Sequence, residues 1–61
     1  MFIKAHGLNE GKTYLVNLDH VTLIDKDGEA ARLYFTSKET LIVAETVDEI
    51  AMQLNAVGAL L

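Results

Sequence analysis

Residues 21–35 read VTLIDKDGEAARLYF, and this segment is the strongest indication of the architecture. Two apolar runs rich in β-branched and aromatic residues flank the polar segment DKDGE, a pattern that predicts two strands joined by a tight turn. Carboxylates at alternate positions before Gly28 are also typical of calcium-binding loops. However, such a loop would place Leu23 at its first position and Tyr34 at its last, where oxygen ligands are required. We therefore interpret the segment as a solvated hairpin turn.

The length of this turn determines which apolar residues share a face of the sheet. A two-residue type I′ loop would pair Lys26 with Glu29. A three-residue loop with Gly28 in the left-handed position would instead set Leu23 opposite Ala31. We favour the three-residue loop because it collects the apolar side chains on one face.

A second turn is predicted at residues 37–39, where it would pair Phe35 with Leu41 and Leu33 with Val43. The predicted core face of these strands consists of Val21, Leu23, Ala31, Leu33, Phe35, Leu41 and Val43. The opposite face is more apolar than a fully solvated face should be. Its apolar members are Ile24, Tyr34, Ile42 and Ala44.

Two further strands precede this meander. Residues 1–5 are rich in β-formers and stop shortly before Gly7, whereas residues 12–18 alternate apolar and polar side chains. Asn9 and Gly11, which lie between them, tolerate left-handed conformations and are suited to a turn. The chain is therefore predicted to begin with a hairpin of its own.

The C-terminal segment predicts an α-helix. Thr46 followed three residues later by Glu49 forms a capping box, in which the hydroxyl and the carboxylate satisfy free amide groups. Gly58 is suited to end the helix in a left-handed conformation. The buried stripe of this helix is predicted to contain Val47, Ile50, Ala51, Leu54 and Val57. The sequence thus predicts an α+β fold, an antiparallel β-meander of four to five strands with one C-terminal helix packed on one face.

The composition narrows the possible functions. A chain of 61 residues supports one small αβ domain spanning residues 1–61. Nine acidic residues against five basic ones give a net charge of −4, which argues against a nucleic-acid partner. No segment approaches the roughly 20 apolar residues of a membrane span, and no leader peptide is evident. We therefore predict a cytoplasmic protein without a nucleic-acid or membrane partner.

The sequence carries no motif for catalysis or for a cofactor. The absence of cysteine excludes disulfides and cysteine-based zinc sites, and His6 with His20 is too small a set for a closed metal site. Ser37 does not lie in the context of an activated nucleophile. Phe2 and Phe35 are interpreted as core residues. We therefore predict a protein that is not an enzyme and binds no cofactor or metal.

Three segments carry a resemblance to a known family. They are LNEGK at residues 8–12, LVNLD at residues 15–19 and AETVDEI at residues 44–50. Together they resemble the small bacterial FlbD-like flagellar proteins, and short phage and bacterial proteins with the same pattern. Leu18 stands where that family tends to have proline, and Lys38 where it tends to have glycine. The resemblance spans most of the chain and implies a non-enzymatic accessory role.

Self-association is predicted because so small a core gains little from burial on its own, and because 51% of the residues are hydrophobic. The residues predicted to lie in the contact are Ile24, Tyr34, Ile42, Leu60 and Leu61. We expect a non-catalytic, self-associating module for protein interaction or regulation, forming a homo-oligomer and able to take a heterologous protein partner. The alternative is a homo-oligomeric ligand-binding or sequestering protein, for example one encoded by a phage, with a pocket between subunits.

Overall fold

The computed structural model describes residues 1–58, which form five strands, a short 3-10 helix and one α-helix. In chain order these elements are β1 (Phe2–His6), β2 (Thr13–Asn17), the 3-10 helix (Leu18–His20), β3 (Val21–Asp27), β4 (Ala30–Phe35), β5 (Thr40–Val43) and α1 (Val47–Ala56). All of the strand pairs are antiparallel. The predicted α+β fold is confirmed, although the predicted second strand ends one residue early because the chain enters the 3-10 helix.

The strands form two hydrogen-bonded groups, one of β1 and β2 and the other of β3, β4 and β5. A single bridge between Gly7 and Val43 joins the two groups. Beside it, the Ala44 amide donates to the carbonyl oxygen of His6 at 2.7 Å. The end of β1 therefore lies against the end of β5, and the spatial order of the strands is β2, β1, β5, β4, β3.

The hairpin between β3 and β4 differs from both predicted registers. Asp27 pairs with Ala30, so the loop consists of Gly28 and Glu29. Gly28 has a φ of +60°, and glycine with positive φ at the first loop position is typical of a type II′ turn, whose twist matches that of the strands. The predicted three-residue loop and the pairing of Leu23 with Ala31 are therefore wrong.

A bulge in β3 also changes which residues face the core. The register shifts between Val21 and Leu23, which makes Thr22 an extra residue in the strand. One extra residue reverses the alternation of side chains beyond it. As a result, Ile24 packs against the core, whereas Leu23 is 56% exposed. The predictions that Leu23 faces the core and that Ile24 lies on the opposite face are wrong.

The hairpin between β4 and β5 is displaced by two residues from the predicted register. Leu33 pairs with Leu41 and not with Val43. The loop spans residues 36–38, and Lys38 takes the left-handed position with a φ of 73°. Because a shift by two residues keeps the same face, these leucine and valine side chains still point toward the core as predicted.

The helix begins as predicted and closes one side of the core. The Glu49 amide donates to Thr46 Oγ1 at 3.0 Å, and the Thr46 amide donates to Glu49 Oε1 at 2.9 Å. Ile50 is 1% exposed and belongs to the core cluster. The other buried members of that cluster are Ile3, Ala5, Val16, Ala31, Leu33 and Val43. Val57 is 65% exposed, so its predicted place in the buried stripe is wrong; the helix has already ended, with Gly58 at a φ of 71°.

Candidate self-association interface

Strand β2 lies at one edge of the sheet with backbone groups directed away from β1. The Gly7 amide donates to the Lys12 carbonyl at 2.9 Å, which fixes the alternation of the ladder. In an antiparallel ladder every second residue bonds to the neighbouring strand, and the residues between them point outward. The outward residues of β2 are Thr13, Leu15 and Asn17. The amide and carbonyl groups of Thr13 and Leu15 and the amide of Asn17 have no backbone partner among residues 1–58. The Asn17 carbonyl accepts the first bond of the 3-10 helix.

The side chains beside this edge are apolar and exposed. Leu15 is 71% exposed and Phe2 is 63% exposed. Phe2 pairs with Asn17, and Lys4 pairs with Leu15. Phe2 and Leu15 are therefore diagonal neighbours on the outer face of the β1–β2 hairpin, close enough for large side chains to touch. Together they form an apolar patch next to an open strand edge.

Strand β3, at the opposite edge of the sheet, is protected against pairing with another chain. Strand β3 carries the bulge at Thr22 and three consecutive charged residues, Asp25, Lys26 and Asp27. The Lys26 amide donates to Asp25 Oδ1 at 2.8 Å. Bulges and charges are the devices by which proteins keep strand edges from pairing with other chains. Strand β2, with the sequence TYLVN, has no charge, no proline and no bulge.

The predicted contact residues occupy different places in the fold. Tyr34 and Ile42 lie half-buried on the outer face of β4 and β5. Ile24 packs against the core instead. Leu60 and Leu61 lie outside the described residues. The exposed pair of Phe2 and Leu15 was not predicted, and the interpretation of Phe2 as a core residue is wrong. The signal for Leu15 was present in the sequence, because it places an apolar side chain on the polar face of an alternating strand.

Hydrogen bonds between His6 and Glu45 connect β1 to the segment just before the helix. The His6 amide donates to Glu45 Oε1 at 2.8 Å, and His6 Nδ1 lies 2.6 Å from Glu45 Oε2. The Glu45 side chain is 15% exposed. This burial alone would raise the pKa of the carboxyl, but the hydrogen bonds from the His6 amide and ring outweigh it and hold the pKa below its ordinary value. We call this pair of bonds the Glu45 clamp.

The Glu45 clamp borders an open groove between β1 and α1. The groove has a volume of 570 Å³. It is lined by Lys4, His6, Glu45, Glu49, Met52 and Gln53. The other histidine, His20, lies at the end of the 3-10 helix, where its Nδ1 is 3.4 Å from Thr36 Oγ1. Within residues 1–58 there is no group of three or more histidine, aspartate or glutamate side chains placed to hold a metal ion.

In the part of the chain that the structure describes, the single α-helix has 10 residues and is too short to span a bilayer. No protein-family model, curated protein or solved structure matches this chain.

Proposed function

We propose that this chain is a non-catalytic, self-associating interaction module whose subunits pair through β2. The observation that carries the proposal is the unprotected edge of β2, with Leu15 71% exposed upon it. An open edge without charges or bulges is a template for another strand. The resemblance to FlbD-like proteins supports the same kind of accessory role, one that needs no chemistry.

The edge suits pairing with a second copy of itself. An antiparallel arrangement with its two-fold axis at Leu15 sets Leu15 opposite its own copy and Thr13 opposite Asn17. Every outward backbone group of β2 then gains a partner, because these are the residues that point away from β1. The strand carries no charge, so this arrangement brings no like charges together. It also brings Phe2 and Leu15 of both copies onto one face.

Such an assembly offsets the small size of the domain. The fully or nearly buried core side chains are few and mostly small or of medium size. A domain of this length gains little from burial alone, and pairing removes the exposed apolar patch from water. Stability should therefore depend on protein concentration, as it does for other obligate or near-obligate dimers.

The test is sedimentation velocity over a range of micromolar concentrations, combined with thermal unfolding at each concentration. We expect a species of twice the 6.7 kDa chain mass and a melting temperature that rises with concentration. Leu15→Asp should give a monomer. Leu23→Asp is the matched control, because Leu23 is also an exposed leucine, at 56%, but lies on β3.

Two results would contradict the proposal. One is a wild-type chain that stays monomeric and has a melting temperature independent of concentration. The other is dissociation by Leu23→Asp but not by Leu15→Asp, which would move the contact to the outer face that carries Tyr34 and Ile42. Chemical synthesis of the chain with a methyl group on the backbone nitrogen of Leu15 separates the two surfaces further. That methyl group removes one outward donor without touching the β1–β2 ladder.

A further inference from the structure

The N-terminal half of β1 has an open backbone edge of its own. The amide and carbonyl groups of Phe2, Lys4 and His6 point away from β2, because the odd-numbered residues of β1 bond to β2. His6 is satisfied on this side: its carbonyl accepts from Ala44 and its amide donates to Glu45. Phe2 and Lys4 lie beyond the point where β5 covers the edge.

Strand β5 does not continue along this edge, because the chain turns into the helix after residue 46. Continuing the register of the Gly7–Val43 bridge would place Thr46 opposite Lys4. Thr46 is instead the N-cap of α1, where its amide is bonded to the Glu49 carboxylate. The backbone groups of Phe2 and Lys4 therefore have no partner among residues 1–58.

The groove between β1 and α1 runs along this open edge. Its volume of 570 Å³ lies within the range of about 300 to 1,000 Å³ found for ligand sites. Its apolar contribution comes from Met52 on α1, which is 71% exposed. Methionine is a flexible side chain that adapts to varied apolar partners. The groove thus combines free strand-pairing groups with an apolar wall.

The charges in the groove indicate what its occupant carries. Both oxygens of Glu45 are engaged by His6, and the Glu49 carboxylate is engaged by the Thr46 amide. Lys4 forms no ion pair within residues 1–58. In a paired strand, the residue opposite Lys4 lies on the same face as the Lys4 side chain, and its two neighbours point to the other face, toward α1.

We propose that this groove binds an extended peptide segment of a partner protein by strand addition to residues 2–4. The segment carries an acidic residue opposite Lys4 and apolar residues on both sides of it, which contact Met52. Main-chain hydrogen bonds to Phe2 and Lys4 provide affinity, and the alternating side chains provide specificity. This site is separate from the β2 edge and does not depend on self-association.

The test is an NMR titration of the isotope-labelled wild-type chain, in which the amides of β1 and of β2 report separately; Leu15 is left unchanged because it pairs with Lys4. The probe is a short blocked peptide of alternating valine and threonine with one central aspartate. We expect saturable shifts centred on the amides of Phe2 and Lys4, and slower hydrogen exchange of those amides on binding. A peptide of the same sequence with methylated backbone nitrogens on the aspartate and on the residues beside it should not bind, because in either strand orientation it cannot donate hydrogen bonds to the Lys4 carbonyl.

Charge reversal at Lys4 provides a second test of peptide binding. In the same background, Lys4→Glu should weaken binding of the aspartate peptide by roughly tenfold and strengthen binding of the matching lysine peptide. Circular dichroism checks that this exposed substitution leaves the fold intact. The proposal is overturned if the aspartate peptide causes no shifts at these amides, if the methylated peptide binds equally well, or if Lys4→Glu leaves the preference unchanged. Shifts centred on β2 would also overturn it. None of these results bears on the sedimentation of the wild-type chain.

Discussion

Removal of the Glu45 clamp should cost this small domain a large part of its stability. Glu45→Ala deletes the bond to the His6 amide at 2.8 Å and the contact with the ring at 2.6 Å. A backbone hydrogen bond to a charged group contributes about 1.5 to 3 kcal/mol. The ring contact contributes only about 0.2 to 1 kcal/mol, because the His6 side chain is 51% exposed. We expect a total loss of about 2 to 4 kcal/mol, which lowers the melting temperature by roughly 10 to 30 °C.

The pH dependence of the same variant tests the charge of the carboxylate. Because the pKa of Glu45 is lowered in the folded state, its contribution is present above the ordinary carboxyl pKa of 4.5 and is lost as the pH falls through the folded value. The carboxylate's share of the stability difference between wild type and Glu45→Ala should therefore be present above the ordinary carboxyl pKa and be lost in acid. Glu45→Gln keeps an acceptor for the His6 amide, so we expect it to lose less at pH 7 and to lack this acid dependence.

Thermal and urea unfolding at a fixed protein concentration measure both effects. Glu29→Ala is the matched control, because it removes a carboxylate from the exposed loop between β3 and β4, where we expect a change within about 0.5 kcal/mol. If Glu45→Ala is as mild as Glu29→Ala at pH 7, the clamp does not hold β1 against the helix and the reasoning is wrong.

Three further substitutions test the backbone geometry by thermal unfolding. Lys38→Gly should stabilise the chain by about 1 kcal/mol, since Lys38 adopts a φ of 73° that costs a residue with a Cβ atom; a destabilised variant would speak against this loop geometry. Gly28→Val should destabilise the chain by at least about 1 kcal/mol, because a β-branched side chain is poorly compatible with a φ of +60°. Thr46→Ala should cost about 0.5 to 2 kcal/mol through loss of the N-cap; an unchanged melting temperature would show that the capping box is dispensable.

The parts of the fold that were predicted correctly depend on local chemistry. The capping box needs only Thr46 and Glu49 at the right spacing, and the Ile50 stripe follows from helical periodicity. The positive φ of Gly28 was also anticipated, because glycine is the residue that tolerates it. Each of these features is determined within a few residues of sequence.

The predicted registers of the β3–β4 and β4–β5 hairpins are wrong because register depends on contacts between strands. No residue near Thr22 signals a bulge, yet that bulge brings Ile24 rather than Leu23 to the core. The β3–β4 hairpin has glycine at the first loop position, and the segment DKDGE is compatible with several loop lengths. The shift in the β4–β5 register did not change which residues were assigned to the core, because a shift by two residues keeps each side chain on the same face.

The sequence led to a prediction of self-association but not to the β2 edge as the surface for it. The small core led to the prediction of self-association, but the surface proposed for it depends on which strand lies at the edge. That order is set by the contact of Gly7 with Val43, two residues far apart in the sequence. Once β1 lies beside β5, β2 becomes an edge and Leu15 becomes its exposed centre. Sequence periodicity alone does not contain that information.

The single bridge between Gly7 and Val43 also has a consequence for folding kinetics. Each hairpin, and the helix, forms from contacts close in sequence, whereas the joint between β1 and β5 closes a loop of more than 30 residues. Local contacts form early and distant ones late, so this joint should be largely unformed in the transition state. Substitutions that loosen it, Glu45→Ala among them, should then accelerate unfolding while leaving the folding rate almost unchanged. The lifetime of the native state would thus be governed at the joint between the two hairpins, while the speed of folding would be governed within them.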